Sequence, residues 1–408
     1  MKVAGIIAEY NPFHTGHQYH ITKARAVTNA DYIVVVMSGN YVQRGLPAIM
    51  DKYLRTELAL RGGADLVLEL PLPWADGSAE YFAWGGVSLL DQLGIVDCLC
   101  FGSESGNVQS LIRAASLLTP EQPRYSQILQ KYLADGLSYP AAQAAAYEEC
   151  MEENSPLSTP NDRLGVEYCK ALQRKSSSIV PVTVLREGAF YYEEALCSNS
   201  HSSATAIRKA LLEGTSPETV TDQLPDWESQ LLRQHWHRCF PISPEDFSLL
   251  LQARLLNETS QSLKNYWDVS AALADKIIKH LPEYTTFSEF VQVLKSKELT
   301  HSRICRSLLH ILLQQTCQDS PCSSPSENVP YARILGFRQD ALPLLSAIKE
   351  TSAIPLISKL ADAHKILSPH ALSALEAAVR ADHLYDAVVR HKFGGPMPNE
   401  YRRQIVKL

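Results

Sequence analysis

Short apolar runs alternate with amphipathic segments through the first half of the chain. Apolar or β-branched runs at 3–8, 32–37, 65–70 and 96–101 are typical of buried strands. Between them, residues 16–28, 51–61 and 78–90 carry apolar side chains at helical spacing, and Asp51 is a plausible N-cap. This order predicts an α/β fold with a parallel sheet, right-handed crossovers and helices on both faces.

The pattern then changes. Residues 107–150 predict helices interrupted at Pro120, Pro123 and Pro140, followed by a helix at 163–173, a strand at 179–185 and a helix opening at 202–208. Residues 214–225 are typical of a linker. The remainder predicts helices, including one or two at 356–390, with one strand at 331–337. We therefore predict a catalytic domain at 1–213, with a helical insertion at 107–160, and a mainly helical domain at 226–408.

The segment from Asn11 to His17 follows the first predicted strand and contains a His-x-Gly-His core. A strand, a tight turn and a helix N-terminus favour a bound phosphate, because free backbone N–H groups and the helix dipole both attract anions. His14 and His17 are three residues apart and would point to the same side of a first helical turn. Such imidazoles can donate hydrogen bonds to charge that develops at an α-phosphate.

The motif alone is short, and two histidines in a turn are often solvated or structural. Its position between a strand and a helix, after an Asn-Pro turn, favours the nucleotide site. Because ligands bind beyond the carboxyl ends of parallel strands, the loops at 9–17, 38–45 and 102–106 are expected to converge on one crevice. Ser203 and Thr205 beside a helix start could be ordinary caps, or a second phosphate cradle to which Arg208 adds charge.

Composition narrows the possible locations and binding partners of the protein. Of the 408 residues, 45% are hydrophobic, enough for full cores, and no apolar run reaches membrane-spanning length. Nine cysteines without a CxxC pair indicate reduced thiols, a cytoplasmic location and no structural zinc; Cys98 and Cys100 are expected in the core. The net charge of −6 does not indicate a nucleic acid partner, so any such contact needs a local basic patch. Basic segments at 295–306 and 390–407 are either solvated faces or phosphate-contact surfaces.

Several segments together resemble the bacterial tRNA(Met) cytidine acetate ligases, which belong to the nucleotidyltransferase superfamily. The segments that carry the resemblance are 11–17, Ser38-Gly39-Asn40-Tyr41-Val42-Gln43-Arg44-Gly45-Leu46-Pro47-Ala48, 51–55, 65–71, 101–104, 160–165 and 203–208. The similarity continues more weakly through 300–304 and 331–336. It implies a Rossmann-like nucleotidyltransferase domain followed by a mostly helical C-terminal domain.

The resemblance also implies the reaction. Acetate and ATP would give acetyl-adenylate and pyrophosphate, and the acetyl group would pass to N4 of the wobble cytidine, C34, of elongator tRNA(Met). Mg²⁺ would accompany the phosphates, with no protein ligand assigned. The alternatives are another nucleotidyltransferase that makes a cofactor, and a non-catalytic RNA-binding adaptor with a vestigial nucleotide site. A membrane or DNA partner is not expected.

Site residues follow from the same resemblance. His14 and His17 would be catalytic. The implied ATP-binding residues are Ile7, Ala8, Glu9, Tyr10, Asn11, Pro12, Phe13, His14, Thr15, Gly16, His17, His20, Gly102, Ser103, Asn161, Arg186, Glu187, Ser203, Thr205 and Arg208. An acetate or tRNA loop would include Ser38, Gly39, Asn40, Gln43 and Arg44, and tRNA would contact Arg303, Arg306, Arg402 and Arg403.

Overall fold

A computed structural model describes residues 1–151, 153–186, 202–296, 299–318, 327–396 and 399–408 of the chain. Glu187, one of the implied ATP-binding residues, lies outside these ranges. None of the described helices is long and apolar enough to cross a membrane.

The strands of the described residues form one large mixed sheet and one small hairpin. They are β1 Val3–Ala8, β2 Tyr32–Ser38, β3 Tyr41–Val42, β4 Leu46–Pro47, β5 Leu66–Leu70, β6 Cys98–Ser103, β7 Val180–Leu185, β8 Ala332–Phe337, β9 Leu356–Ile357 and β10 Val406–Lys407. The large sheet has the order β10-β8-β5-β2-β1-β6-β7, with β9 paired to β8, and β3 with β4 makes the hairpin.

The α-helices of the described residues cover the sheet and build the second half of the chain. They are α1 Thr15–Thr28, α2 Lys52–Arg61, α3 Leu72–Ala75, α4 Ala79–Gln92, α5 Val108–Leu118, α6 Pro123–Ala134, α7 Tyr139–Met151, α8 Pro160–Lys175, α9 Ala204–Leu212, α10 Asp226–His235, α11 Ser248–Leu255, α12 Ser260–Leu263, α13 Ala271–His280, α14 Phe287–Leu294, α15 His301–Leu313, α16 Leu342–Thr351, α17 Ala363–Ile366 and α18 Pro369–Phe393.

The strands β5-β2-β1-β6-β7 are parallel and form the doubly wound part of the sheet. Alternate side chains of β1 and β2 face two cores. Ile6 and Val35 pack on the face covered by α1 and α2, while Ile7 and Val36 pack on the face covered by α4 and α8. The chain order reverses between β1 and β6. In sheets of this kind the ligand crevice opens at that reversal, beyond the carboxyl ends of the strands.

The parallel pairing predicted for the strands of the first half is confirmed, and further strands join the sheet from the second half. The strand expected at 331–337 is present as β8, but it runs antiparallel to β5. Only strands linked by crossover helices need to be parallel, and β8 returns from a distant part of the chain. The range 226–408 is therefore mainly helical yet contributes β8, β9 and β10 to the same sheet as the first half. The boundary between the two predicted domains stays a prediction.

Most other elements match expectation. Asp51 caps α2, since its carboxylate accepts hydrogen bonds from Tyr53 N and Leu54 N, both at 2.8 Å. Cys98 and Cys100 are buried in the core. The expected helix at 356–390 is wrong at its start, where β9 precedes α17 and α18.

Pairing of β5 with β8 places Arg333 opposite Glu69 and builds a buried charge cluster. The cluster consists of Lys52, Glu69, Arg333, Asp382 and Glu400. The Lys52 Nζ atom lies 2.7 Å from Glu69, 2.5 Å from Asp382 and 2.9 Å from Glu400. These ion pairs join α2, β5, β8 and α18, so they tie the two halves of the chain together.

Candidate active site

A cavity of about 210 Å³ opens at the carboxyl ends of β1, β6 and β7. Its lining residues come from both halves of the doubly wound sheet and from the helices that follow. They are Ile6, Ile7, Ala8, Glu9, Tyr10, Asn11, His14, His17, His20, Gln43, Arg44, Phe82, Phe101, Gly102, Asn161, Leu164, Tyr168, Arg186, Ser203, Ala204, Thr205 and Arg208. The expected convergence of the loops at 9–17, 38–45 and 102–106 is therefore present in the structure.

His14 is the N-cap of α1, and His17 lies in the first turn of that helix. The Nδ1 atom of His14 accepts a hydrogen bond from Gly16 N at 3.0 Å. The neutral imidazole consequently carries its proton on Nε2 and can donate it to a ligand. The two rings lie with centroids 3.8 Å apart and planes tilted by 35°, and both histidines line the same cavity.

Burial keeps the neighbouring imidazoles uncharged. The pKa of His17 is held well below its usual value by burial, and then by His14, Arg186, His20 and Arg208. Burial and Arg186 lower the pKa of His20 to about 4. His17 Nδ1 and His20 Nε2 are buried and have no hydrogen-bond partner among the described residues. Unsatisfied buried polar atoms are costly, so these nitrogens are suited to hydrogen bonds with a ligand.

Two arginines place positive charge beside the imidazoles. Arg186 follows β7 directly, and Arg208 lies on α9. The guanidinium of Arg208 donates to the Asn11 carbonyl at 2.5 Å and to the Thr205 hydroxyl at 3.1 Å, which fixes it against the loop after β1. Ser203 caps α9 by accepting from Ala206 N at 3.1 Å. The cap role expected for Ser203 is thus present, on a helix whose N-terminus faces the cavity.

The carboxyl end of β6 contains two of the implied ATP-binding residues, Gly102 and Ser103, and only Gly102 lines the cavity. A Cβ atom at Gly102 would lie 3.3 Å from the Arg186 side chain, so the missing side chain leaves space at the strand end. Ser103 does not line the cavity. It is fully buried, and its hydroxyl donates to the Asp162 carboxylate. Ser103 therefore fixes the loop to α8 rather than facing a ligand.

Asn161 lies in the first turn of α8 and is held by a carboxylate. Its Nδ2 atom donates to Glu104 Oε1 at 2.6 Å, and Asp162 N donates to Glu104 Oε2 at 2.9 Å. Because one N–H of the amide is engaged, Asn161 can offer a ligand its Oδ1 atom as an acceptor and its second N–H as a donor.

The loop after β2 also contains two kinds of residue. Ser38, Gly39 and Asn40 are interior: Asn40 donates to Asp382 at 2.9 Å and accepts from Lys52 N at 2.8 Å. A Cβ atom at Gly39 would lie 2.6 Å from Glu69 Oε1. Farther along, Gln43 and Arg44 reach the cavity wall. Of the five residues expected in this loop, these two are placed to contact a substrate.

Arg55 connects the loops that form the cavity. It is fully buried, and its guanidinium donates to the carbonyls of Glu9 at 2.7 Å, Ser38 at 3.0 Å and Gly39. One side chain therefore fixes the ends of β1 and β2 relative to each other. The sequence marked Arg55 as part of a similar segment but gave no signal for this role.

Other implied residues lie in the core or in ion pairs. Phe13 is fully buried, and a Cβ atom at Gly62 would approach its ring within 2.3 Å. Arg306 lies 2.9 Å from Asp268, and Arg403 lies 2.7 Å from Asp51. These arginines have structural partners, and the tRNA contacts expected of Arg303, Arg306, Arg402 and Arg403 stay predictions.

The apolar wall of the cavity was not predicted. Phe82, Phe101, Leu164 and Tyr168 line it. Leu164 and Tyr168 follow Asn161 at spacings of three and seven along α8, so a helical face extending from Asn161 was the available signal. The cavity thus combines an apolar wall with an end that carries imidazoles, arginines and helix N-termini, an arrangement suited to a nucleotide.

Comparison with known proteins agrees with this geometry. The family model for HIGH nucleotidyl transferases matches residues 1–395. The tRNA(Met) cytidine acetate ligase of Acetivibrio thermocellus is 40% identical, with 100% of both chains covered. That of Clostridium perfringens is 36% identical, covering 94% of this chain and 95% of its own.

Two solved structures are similar to this chain over its full length. Thermotoga maritima TmcAL, in its apo form, matches with a TM-score of 0.93 at 30% identity, covering 100% of both chains. The same protein bound with alpha-thio ATP matches with a TM-score of 0.90 at 30% identity, covering 100% of this chain and 99% of its own.

Proposed function

The chain belongs to the tRNA(Met) cytidine acetate ligases of the HIGH nucleotidyl transferase family, and from that premise we propose how its residues perform ATP-dependent acetylation of a tRNA cytidine. The observation that carries the mechanism is the group of neutral imidazoles and arginines at one end of the cavity. The polar end takes the ATP phosphates, and the apolar wall with Asn161 takes the adenosine.

In the first step an acetate oxygen attacks the α-phosphorus of ATP. An oxygen–phosphorus bond forms, the bond from the α-phosphorus to the bridging oxygen breaks, and pyrophosphate leaves. Acetate is already an anion, so positioning and charge neutralisation supply most of the rate. His14, through Nε2, and His17 donate hydrogen bonds to the developing charge, each worth about 3–4 kcal/mol. Arg186 and Arg208 hold the phosphates.

In the second step N4 of the cytidine attacks the acetyl carbonyl carbon. The new carbon–nitrogen bond forms as the bond to the AMP oxygen breaks, and the amine loses one proton. The target base, C34 of elongator tRNA(Met), must leave its stack to reach the acyl group. A single-stranded loop makes that inexpensive. Range 1–213 carries the adenylation chemistry, and range 226–408 contributes to tRNA binding.

Mg²⁺ enters with the nucleotide in this proposal. Among the described residues, no three His, Cys, Asp or Glu side chains come together as a metal site. Phosphate oxygens and water would therefore be its main ligands, and Glu9 is the carboxylate that the cavity lining offers nearby. When bound, the ion would neutralise charge on the leaving pyrophosphate.

Incubation with labelled acetate, ATP and total tRNA, followed by nucleoside analysis, tests the proposal. The expected product is N4-acetylcytidine in tRNA(Met), with AMP and pyrophosphate released. Pyrophosphate release that does not depend on acetate would indicate a different acceptor. ATP binding without any turnover would instead indicate a non-catalytic RNA-binding protein.

A further inference from the structure

The hairpin of β3 and β4 connects the cavity wall to α15, in the second half of the chain. Arg44, at the hairpin tip, lines the cavity, and the next residue, Gly45, has a φ of +76°. A Cβ atom at Gly45 would lie 2.3 Å from Arg306 N and 2.6 Å from the carbonyl carbon of Cys305. The backbone of the tip therefore packs directly on the second turn of α15, and glycine is required for that approach.

This packing brings together basic side chains that we call the basic rim: Arg44, which lines the cavity, Lys295, which precedes α15, and Arg303, in the first turn of α15. The pKa of His301 is lowered by burial, and then by Lys295 and Arg44, which indicates that the three groups lie close together. Since Arg44 lines the cavity and Gly45 packs on Arg306, the rim extends from the cavity wall to α15.

The nearby carboxylate does not neutralise the rim. Asp268 lies 2.9 Å from Arg306, whose side chain is 11% exposed, and 3.8 Å from Arg303. Arg303 is 41% exposed, and its Nε atom has no hydrogen-bond partner among the described residues. One carboxylate thus faces two guanidinium groups and is engaged mainly by the more buried one. Lys295 and Arg303, which the Asp268 carboxylate does not neutralise, therefore carry positive charge at the surface.

We propose that the basic rim binds the backbone phosphates of the anticodon loop next to the cytidine that enters the cavity. This inference rests on the proposed function, since it assumes that an RNA base reaches the acyl group. Phosphates flanking an unstacked base remain outside while the base is inserted, so they must lie against the cavity mouth. Arginine suits them because its planar guanidinium can donate two hydrogen bonds to one phosphate.

The test is the double variant Lys295→Gln/Arg303→Gln in the full chain, with two readouts. The KM for elongator tRNA(Met) is expected to rise at least about tenfold, and the slope of log KM against log salt to flatten by about 1.4 for two lost single-strand phosphate contacts. Acetate-dependent ATP–pyrophosphate exchange without tRNA is expected to remain within about twofold of the unaltered enzyme, because the rim contacts RNA and not ATP.

Arg61→Gln is the matched control. Arg61 is 45% exposed and lies at the end of α2, near the amino end of β5 and thus at the opposite edge of the sheet. A KM and salt slope in the double variant equal to those of Arg61→Gln would overturn the inference, as would equal loss of exchange and tRNA affinity. If the unaltered enzyme shows no acetate-dependent exchange, the proposed function fails. Direct titration with a fluorescent anticodon stem–loop RNA would then still compare rim and control variants.

Discussion

The nucleotide cavity and the charge cluster both bury polar side chains near the same edge of the sheet, yet the two differ in the partners that those side chains have within the chain. In the charge cluster every member contacts a side chain of the opposite ionisable type, and Lys52 alone contacts three carboxyl groups. In the cavity, His17 Nδ1 and His20 Nε2 are buried without a partner among the described residues. Paired buried charge stabilises one arrangement of the chain, whereas unpaired buried polar atoms indicate where a ligand completes the structure.

The largest effect is expected from breaking the charge cluster. Lys52→Met leaves Glu69, Asp382 and Glu400 with Arg333 as the remaining cation of the cluster. Removing one partner of a buried ion pair costs about 3–5 kcal/mol, so the free energy of unfolding in urea should fall by that amount. The exposed pair of Arg61 with Glu57 provides the control, since Arg61→Gln should cost about 1 kcal/mol or less. An equal loss of unfolding free energy in the two variants would mean that the buried cluster contributes no more to stability than an exposed ion pair.

A substitution in the cavity should lower the rate of the reaction rather than the stability of the fold. His17→Ala is expected to lower acetyl-adenylate formation, measured as acetate-dependent ATP–pyrophosphate exchange, by at least about a hundredfold, because a donor to the transition state is lost. His370, which is 71% exposed and lies in the first turn of α18, provides the control in His370→Ala. Near-normal exchange in His17→Ala would contradict the catalytic assignment.

The two regions should also differ in their response to pH. The pKa of Asp382 is raised to about 8 by burial, with Glu400 and Glu69 adding to the effect. The folded chain therefore retains a proton between about pH 4 and 8 that the unfolded chain releases, so this group makes the free energy of unfolding fall as pH rises through that range.

Asp382→Asn should remove this component. The slope of unfolding free energy against pH should become less negative by up to about 1.4 kcal/mol per pH unit, the value for one whole proton. The free energy of unfolding of the two proteins would instead change in parallel between about pH 5 and 8 if Asp382 were ionised throughout that range.

The smallest effect concerns the helix cap at the cavity. Ser203→Ala removes the acceptor for Ala206 N and should cost about 1 kcal/mol of stability. Ser368, which caps α18 by accepting from Ala371 N, gives the matched variant Ser368→Ala. A rise in the KM for ATP confined to Ser203→Ala would assign the hydroxyl to the phosphate cradle. Equal ATP kinetics in the two variants would leave Ser203 as a cap only.

The sequence predicted the parts of the fold that are local. β1, β2, β5, β6 and β7 each have a continuous apolar run and a crossover helix, so their pattern is contained within a few residues. The two-residue strands β9 and β10 have no period to detect. The antiparallel entry of β8 depends on pairing with β5 across a large separation in the chain, which local pattern does not encode.

The cavity residues likewise divide into those that a local motif predicts and those that only the fold reveals. Residues around His14 and His17 come from one contiguous motif and were predicted together. Phe82 and Tyr168 reach the cavity from α4 and α8, so only the fold reveals them. Ser103 and Asn40 have residue types that suit a ligand, but their actual partners, Asp162 and Asp382, are distant in sequence. Sequence similarity marked these loops, which the structure brings together at the cavity, but it did not separate the residues that line the cavity from those that hold the loops.

The antiparallel strand β8 has a consequence for synthesis on the ribosome. Strand β5 lies between β2 and β8, so it has an open edge until residues 332–337 have been made. Through that interval the growing chain exposes unpaired backbone groups of a wholly apolar strand apart from Glu69, which also lacks its partner Arg333. Unpaired edges of this kind promote aggregation. The first half of the chain is therefore expected to complete its sheet only after residues 332–337 have been made, and a fragment ending at residue 213 is expected to associate with other chains through β5.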